Sequence, residues 1–181
     1  MRDLLHLGGR LFLIALVAGL ALGATYYVTK EPIAEQTRLA AEAARTEVFE
    51  GTFTQDTQEK LPGSIKTLYM AKGEQNGYVM EVQATGYGGI FTVTVGVTVD
   101  GIITGVVVGD NSETPGLGKN AQRPEFAAQF AGKDGTITVK KGGGASENEV
   151  DALTGATITT EAVTNAVNEA REFALTIGGK P

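Results

Sequence analysis

The 18 residues from Leu11 to Val28 carry no charge, and this run reaches the shortest length at which an α-helix crosses the hydrocarbon core of a bilayer. Arg2 and Arg10 precede it, and Tyr26 and Tyr27 close it. That is the pattern of a basic cytoplasmic flank and an interfacial aromatic anchor. The expectation is a single-pass helix over residues 1–29, with the N-terminus cytoplasmic and the remainder on the outer face of the inner membrane. A cleaved signal peptide is the other reading, since Ala21-Leu22-Gly23 offers small residues at a cleavage position. The length of the run favours the anchor. Residues 30–49 then predict a membrane-proximal helix, built on the helix formers from Leu39 to Ala44, with Pro32 tolerated in its first turn.

After residue 50 the hydrophobic period changes from helical to alternating. Phe91, Val93, Val95, Val97 and Val99 alternate with small or polar residues, which predicts a half-buried strand. Asp100-Gly101 followed by Ile102, Ile103 and Val106–Val108 predicts a hairpin with a two-residue type I′ turn. Tyr78–Val82 and Thr136–Val139 read as further strands, and Glu125–Phe130 as a short helix. The last helix is expected to begin near Thr160, with Ala162, Val163, Ala166, Val167, Ala170, Phe173, Ala174 and Ile177 at helical spacing and Gly178-Gly179 ending it. The fold class is α+β: an N-terminal transmembrane helix, then residues 50–181 as an antiparallel sheet with helices packed on one side.

Composition removes several chemistries. The chain has 181 residues, a net charge of −6 and no cysteine. Disulfides, thiolate nucleophiles and iron–sulfur ligation are therefore excluded. The single histidine, His6, precedes the apolar run, so neither a His/Cys metal site nor a Ser-His-Asp triad is available. The acidity argues against a nucleic-acid partner. Any redox chemistry must ride on an organic cofactor.

Three segments are candidates for holding one. Asp151-Ala152-Leu153-Thr154-Gly155-Ala156-Thr157-Ile158-Thr159 lies just before the last helix. Small residues at 155 and 156 leave the Thr157 hydroxyl open, and unpaired N–H groups at a helix start favour a phosphate. The plainer reading is that Thr159 or Thr160 caps the helix. Glu113-Thr114-Pro115-Gly116-Leu117-Gly118 suits a type II turn whose glycines let a flat ligand approach, with Leu117 as an apolar surface; a surface loop fits as well. Gly86-Tyr87-Gly88-Gly89 is either a bend leading into a strand or an aromatic lid. Asp110 and Glu113 read as solvated loop carboxylates.

Together, in this order, the three segments resemble the signatures of the FMN-binding domain family, and with the anchor and short length they resemble its G-subunit branch from Rnf electron-transport complexes. The resemblance covers essentially the whole chain. It implies FMN bound covalently as a phosphoester of Thr157, with Asp151, Thr154, Gly155, Ala156, Glu113, Thr114, Gly116, Leu117, Gly118 and Tyr87 as the other cofactor-binding positions. It further implies a flavin transferase using FAD and magnesium, with Asp151 part of the sequence that enzyme reads. The partners would be the other membrane and iron–sulfur subunits of an Rnf complex, which links ferredoxin and NAD to sodium or proton translocation. No catalytic or metal-binding residue of its own is implied. Many members carry a histidine shortly before the Glu-Thr-Pro-Gly segment, where this chain has Asn111. Two other identities are open: the homologous C subunit of sodium-translocating NADH:quinone oxidoreductase, usually longer, and a non-redox membrane-tethered interaction module.

Overall fold

The computed structural model describes residues 2–56 and 61–178. The chain divides into two compact units, residues 1–42 and 43–181. Helix α1 runs unbroken over Arg2–Val48, where the sequence suggested an anchor and a separate second helix. Pro32 accordingly sits inside α1 and not in a first turn. In the first unit every residue from His6 to Ala40 is exposed, and the apolar stretch is long enough to cross a membrane. Its threonines fold their hydroxyls back onto the helix: Thr25 donates to Ala21 O at 2.9 Å, Thr29 to Thr25 O at 2.8 Å and Thr37 to Ile33 O at 2.9 Å. Polar groups satisfied within the segment are what an apolar surrounding demands.

The second unit is a five-stranded antiparallel meander, in the order β1 (Thr52–Asp56), β2 (Ile65–Lys72), β3 (Asn76–Thr85), β4 (Ile90–Thr98) and β5 (Ile103–Val108). A 3-10 turn (Gly118–Gln122) and the short α2 (Pro124–Ala127) follow. Then come β6 (Thr138–Lys140) and β7 (Glu149–Asp151), a parallel pair, and α3 (Thr157–Gly178). The α+β class and the antiparallel sheet agree with the sequence. The last helix starts at Thr157, earlier than expected, and Gly179 lies outside the described residues.

The main core fills the face of the sheet beneath α3. Met80, Val82, Val93, Val95 and Val97 meet Val163, Val167 and Ala170 there, with Phe126 and Phe130 in edge-to-face contact at 5.5 Å. Burying a side chain of this kind is worth about 1.5–3 kcal/mol, so the alternating valines of β4 do much to hold the unit together. The helix expected over 125–130 is only one turn long and ends before Phe130, yet both phenylalanines are buried.

Two expectations fail for identifiable reasons. β4 is not half-buried, because every residue from Val93 to Thr98 is buried. The end of α1 covers the opposite face: Val48, Phe49, Ala71 and Val79 form a second cluster, and the Thr104 hydroxyl donates to Val48 O at 2.5 Å. Gly96 and Gly105, facing each other across β4 and β5, leave room for Val48, since a Cβ on either would strike its backbone. The helices thus lie on both faces of the sheet. Arg45 fixes the same helix end, pairing with Glu81 at 3.0 Å and lying 4.4 Å over the Tyr69 ring.

The hairpin also differs from the type I′ expectation. Asp100 keeps a negative φ, and Gly101 alone is left-handed at φ 83°. Gly101 N–H donates to Thr98 O at 3.0 Å and Thr98 N–H to Ile102 O at 2.9 Å, the three-residue loop with a glycine bulge. A type I′ turn would need Asp100 left-handed too, which the longer loop avoids.

Candidate flavin site

Pro115-Gly116 forms the expected turn: Leu117 N–H reaches Thr114 O at 3.1 Å, and Gly116 has φ 78°. That turn pushes Leu117 outward, 40% exposed, towards the start of α3. The Gly155 backbone lies against it, with φ 74° and space for a Cβ only 3.0 Å from Leu117 Cδ2. Between these segments opens a pocket of 560 Å³ lined by Tyr87, Glu113, Thr114, Leu117, Gly118 and Gly155–Thr159. Its walls come from all three segments singled out in the sequence.

Glu113 organises the pocket. It is only 4% exposed, a correction to the reading of a solvated loop carboxylate. One oxygen accepts from Gly88 N–H at 2.8 Å and the other from the Thr159 hydroxyl at 2.8 Å. Gly86 and Gly118 press against the same carboxylate, and a Cβ on either would collide with it. Asn111 supports the approach to Glu113, accepting its N–H at 3.2 Å and donating to Gly109 O at 3.1 Å. Asp110 is a surface group: the Lys119 ammonium at 2.8 Å, and then the Asn111 N–H, hold its carboxyl below the ordinary aspartate range.

Thr157 opens α3. Its side chain is half-buried at the pocket, and among the described residues its hydroxyl makes no hydrogen bond. Neither threonine suggested as a cap takes that role. The Thr160 hydroxyl, a full turn inside, accepts from Leu153 N–H at 3.1 Å and donates to Ala156 O at 3.0 Å, while Thr159 serves Glu113. The first N–H groups of a helix lack intrahelical acceptors, and here they belong to Thr157, Ile158 and Thr159.

Eight of the eleven positions read as cofactor-binding line this pocket. Asp151 and Thr154 face a different one, of 360 Å³, with Asn120, Arg123, Glu125 and Gln129. Asp151 accepts from Ala145 N–H at 2.9 Å and gives its own N–H to Gln129 Oε1 at 2.7 Å. Gly116 stays out of the lining, its carbonyl taken by Asn120 Nδ2 at 2.8 Å. The sequence reading missed Ile158 as an exposed apolar wall and Thr159 as the partner of Glu113. The period of the last helix, carried back one turn, would have placed Ile158; nothing local signals a bond between positions 46 apart.

The FMN-binding domain family model matches residues 86–172, and the RnfG N-terminal region model matches residues 3–48. The G subunit of the Na(+)-translocating ferredoxin:NAD(+) oxidoreductase complex of Acetobacterium woodii is 36% identical, over 90% of this chain and 87% of its own. The chain belongs to the RnfG family. The proton-translocating counterpart of Clostridium ljungdahlii is 35% identical, over 91% of this chain and 88% of its own. Among solved structures, Shewanella oneidensis NqrC superposes with a TM-score of 0.55 at 25% identity, covering 69% of each chain. RnfG membership accounts for both halves of the molecule, since separate family models match the long helix and the pocket-bearing domain.

Proposed function

We propose that this RnfG-family chain is a membrane-anchored flavoprotein subunit that relays electrons through FMN within an Rnf-type ferredoxin:NAD oxidoreductase coupled to sodium or proton translocation. The reading rests on one observation above the rest: a threonine hydroxyl left unbonded at the first residue of a helix, on an open pocket with apolar walls. A flavin fits that pocket by shape and chemistry. The half-exposed Leu117 and Ile158 offer surfaces for a ring system, and Tyr87, 76% exposed, is available to cover it. Gly155 removes the side chain that would crowd Leu117. The helix start supplies N–H donors and a positive dipole end for a phosphate.

In this reading Thr157 is the attachment residue. Its Oγ bonds to the flavin-side phosphorus of FAD, the pyrophosphate bond breaks, AMP leaves, and the hydroxyl proton passes to the transferase or to water. In this reading a separate magnesium-dependent flavin transferase performs the step; among the described residues that line the pocket the one carboxylate, Glu113, is already engaged at both oxygens. When bound, FMN supplies one- and two-electron chemistry, while the protein supplies orientation and electrostatics. A covalent tether prevents loss of the cofactor to a dilute outer compartment.

Residues 1–29 form the anchor in this reading, 30–49 the membrane-proximal helix and 50–181 the FMN-binding domain, with Ala44, Val48 and Phe49 packing as part of that domain's fold. Arg2 and Arg10 set the N-terminus in the cytoplasm and the flavin domain on the outer face. The other Rnf subunits exchange electrons with it. The chain expressed with an active flavin transferase should stay fluorescent on a denaturing gel and bleach and recover in a reversible redox titration. A colourless chain, beside a control protein that the same transferase labels, would overturn the reading.

A further inference from the structure

Threonines stand at 154, 157, 159 and 160 around the start of α3, and their hydroxyls are the same nucleophile chemically. The fold makes them different. Thr160 is held by Ala156 O and Leu153 N–H. Thr154 faces the other pocket, beside Arg123 and Glu125. Thr159 shares the larger pocket with Thr157, but its side chain is 1% exposed and its hydroxyl is given to Glu113. Of these four described threonines, only Thr157 combines a place on that pocket with an unengaged hydroxyl.

Glu113 is the common element. A carboxylate this buried is costly unless charge-assisted hydrogen bonds compensate it, and here one carboxylate joins three distant segments. It holds Gly88 through one oxygen and Thr159 through the other, from its own place at the head of the Pro115-Gly116 turn. Gly86, from the distant loop, and Gly118, from the loop of Glu113 itself, close on it. An apolar residue of the same size would fill the space and tie nothing.

We propose that Glu113 is a positioning residue that reserves flavin attachment for Thr157: it occupies the neighbouring Thr159 hydroxyl and fastens the Gly86–Gly89 segment, with Tyr87, to the start of α3. This rests on the reading of Thr157 as the attachment site and adds why the label goes there and not two residues on. The strap works by geometry. A glutamine can reproduce it, accepting from Gly88 N–H through its amide oxygen and donating to the Thr159 oxygen through its nitrogen.

The test is a labelling time course on the full-length chain in detergent, with FAD, magnesium and a purified flavin transferase, the label being mapped by mass spectrometry over all four threonines. Wild type should label Thr157 alone, and Glu113→Gln should do so within about twofold of its rate. Glu113→Ala should label Thr157 about tenfold more slowly, the scale of a lost hydrogen bond to a charged group, with part of the label now on Thr159. Thr159→Val keeps the buried shape and removes one tether; it should slow labelling about fivefold on the same scale, still at Thr157. The last variant decides if Glu113→Ala does not fold. Thr159→Val at the wild-type rate, a folded Glu113→Ala labelled like wild type, or a Glu113→Gln as slow as the alanine variant would each overturn the proposal. A wild-type label on a residue other than Thr157 would instead sink the attachment-site reading, leaving the two failures distinguishable.

Discussion

The segment Asp151–Thr159 contributes its first half to one pocket and its second half to another, and the two are chemically unlike. Asp151 to Thr154 line a pocket of mixed character with Arg123, Glu125, Phe126 and Gln129, while the other is mainly apolar. There the backbone and carboxylate of Asp151 are bonded to Gln129 and Ala145. Gly155 to Thr159 line a larger pocket with Leu117 and Tyr87, where the Thr157 hydroxyl is bonded to nothing among the described residues. The contrast assigns different work to neighbouring residues of one motif. In the proposed function the first half holds the turn in place, and the second half presents the hydroxyl that is to be modified.

The largest effect expected from breaking this division is at Thr157. Thr157→Ala should abolish covalent flavin while moving the melting temperature by no more than about one degree, because a half-exposed, unbonded hydroxyl contributes little to stability; denaturing-gel fluorescence and a thermal melt read the two quantities. Fully flavinylated Thr157→Ala protein would end the assignment. Asp151→Ala should show the opposite balance. Losing the bond to Ala145 N–H should cost about 1–2 kcal/mol, seen as a fall of a few degrees in the melt, with attachment slowed but still at Thr157. An unchanged melt with attachment abolished would mean that Asp151 is read directly by the transferase and not used as a tie.

Leu117→Asp acts on the other wall of the pocket. It should leave attachment intact and shift the flavin midpoint potential downward, since a carboxylate against the ring disfavours added electrons. A potential equal to wild type would remove the loop from the cofactor's surroundings. The smallest effect belongs to Asp110, exposed and held below the ordinary carboxylate range by Lys119. A depressed folded value contributes stability above the unfolded value and loses it as pH falls through the folded one. Asp110→Asn should therefore match wild type at neutral pH in physiological salt, where exposed pairs contribute little. It should differ only by a slightly flatter acid limb, below about pH 4. A clear loss of stability at pH 7 would show that the Asp110–Lys119 pair carries more than its exposure allows.

The parts of this molecule that the sequence disclosed are those with a local signal. The valine alternation of β4, the helical spacing of α3, the uncharged run of α1 and the Pro115-Gly116 turn each depend on near neighbours. β1 and β2 escaped notice because β1 is mostly exposed and Lys66 and Lys72 interrupt the pattern of β2. β6 (Thr138–Lys140) overlaps the strand expected at Thr136–Val139, whereas β7, with three residues, is too short to show a period. The start of α3 was set too late because Thr157, Thr159 and Thr160 are weak helix formers; tertiary bonds to Glu113 and Leu153 hold two of them in the first turn. The same long-range bond hid the true state of Glu113. A loop carboxylate looks solvated until the chain brings Gly88 and Thr159 to it.

One modified atom decides between these readings, and peptide-mapping mass spectrometry of the full-length chain, purified from cells that contain an active flavin transferase, identifies it. The peptide spanning Thr157 should gain the mass of FMN less water, with fragment ions confining the gain to Thr157. An unmodified Thr157, in a preparation where the transferase labels a control protein, would contradict it.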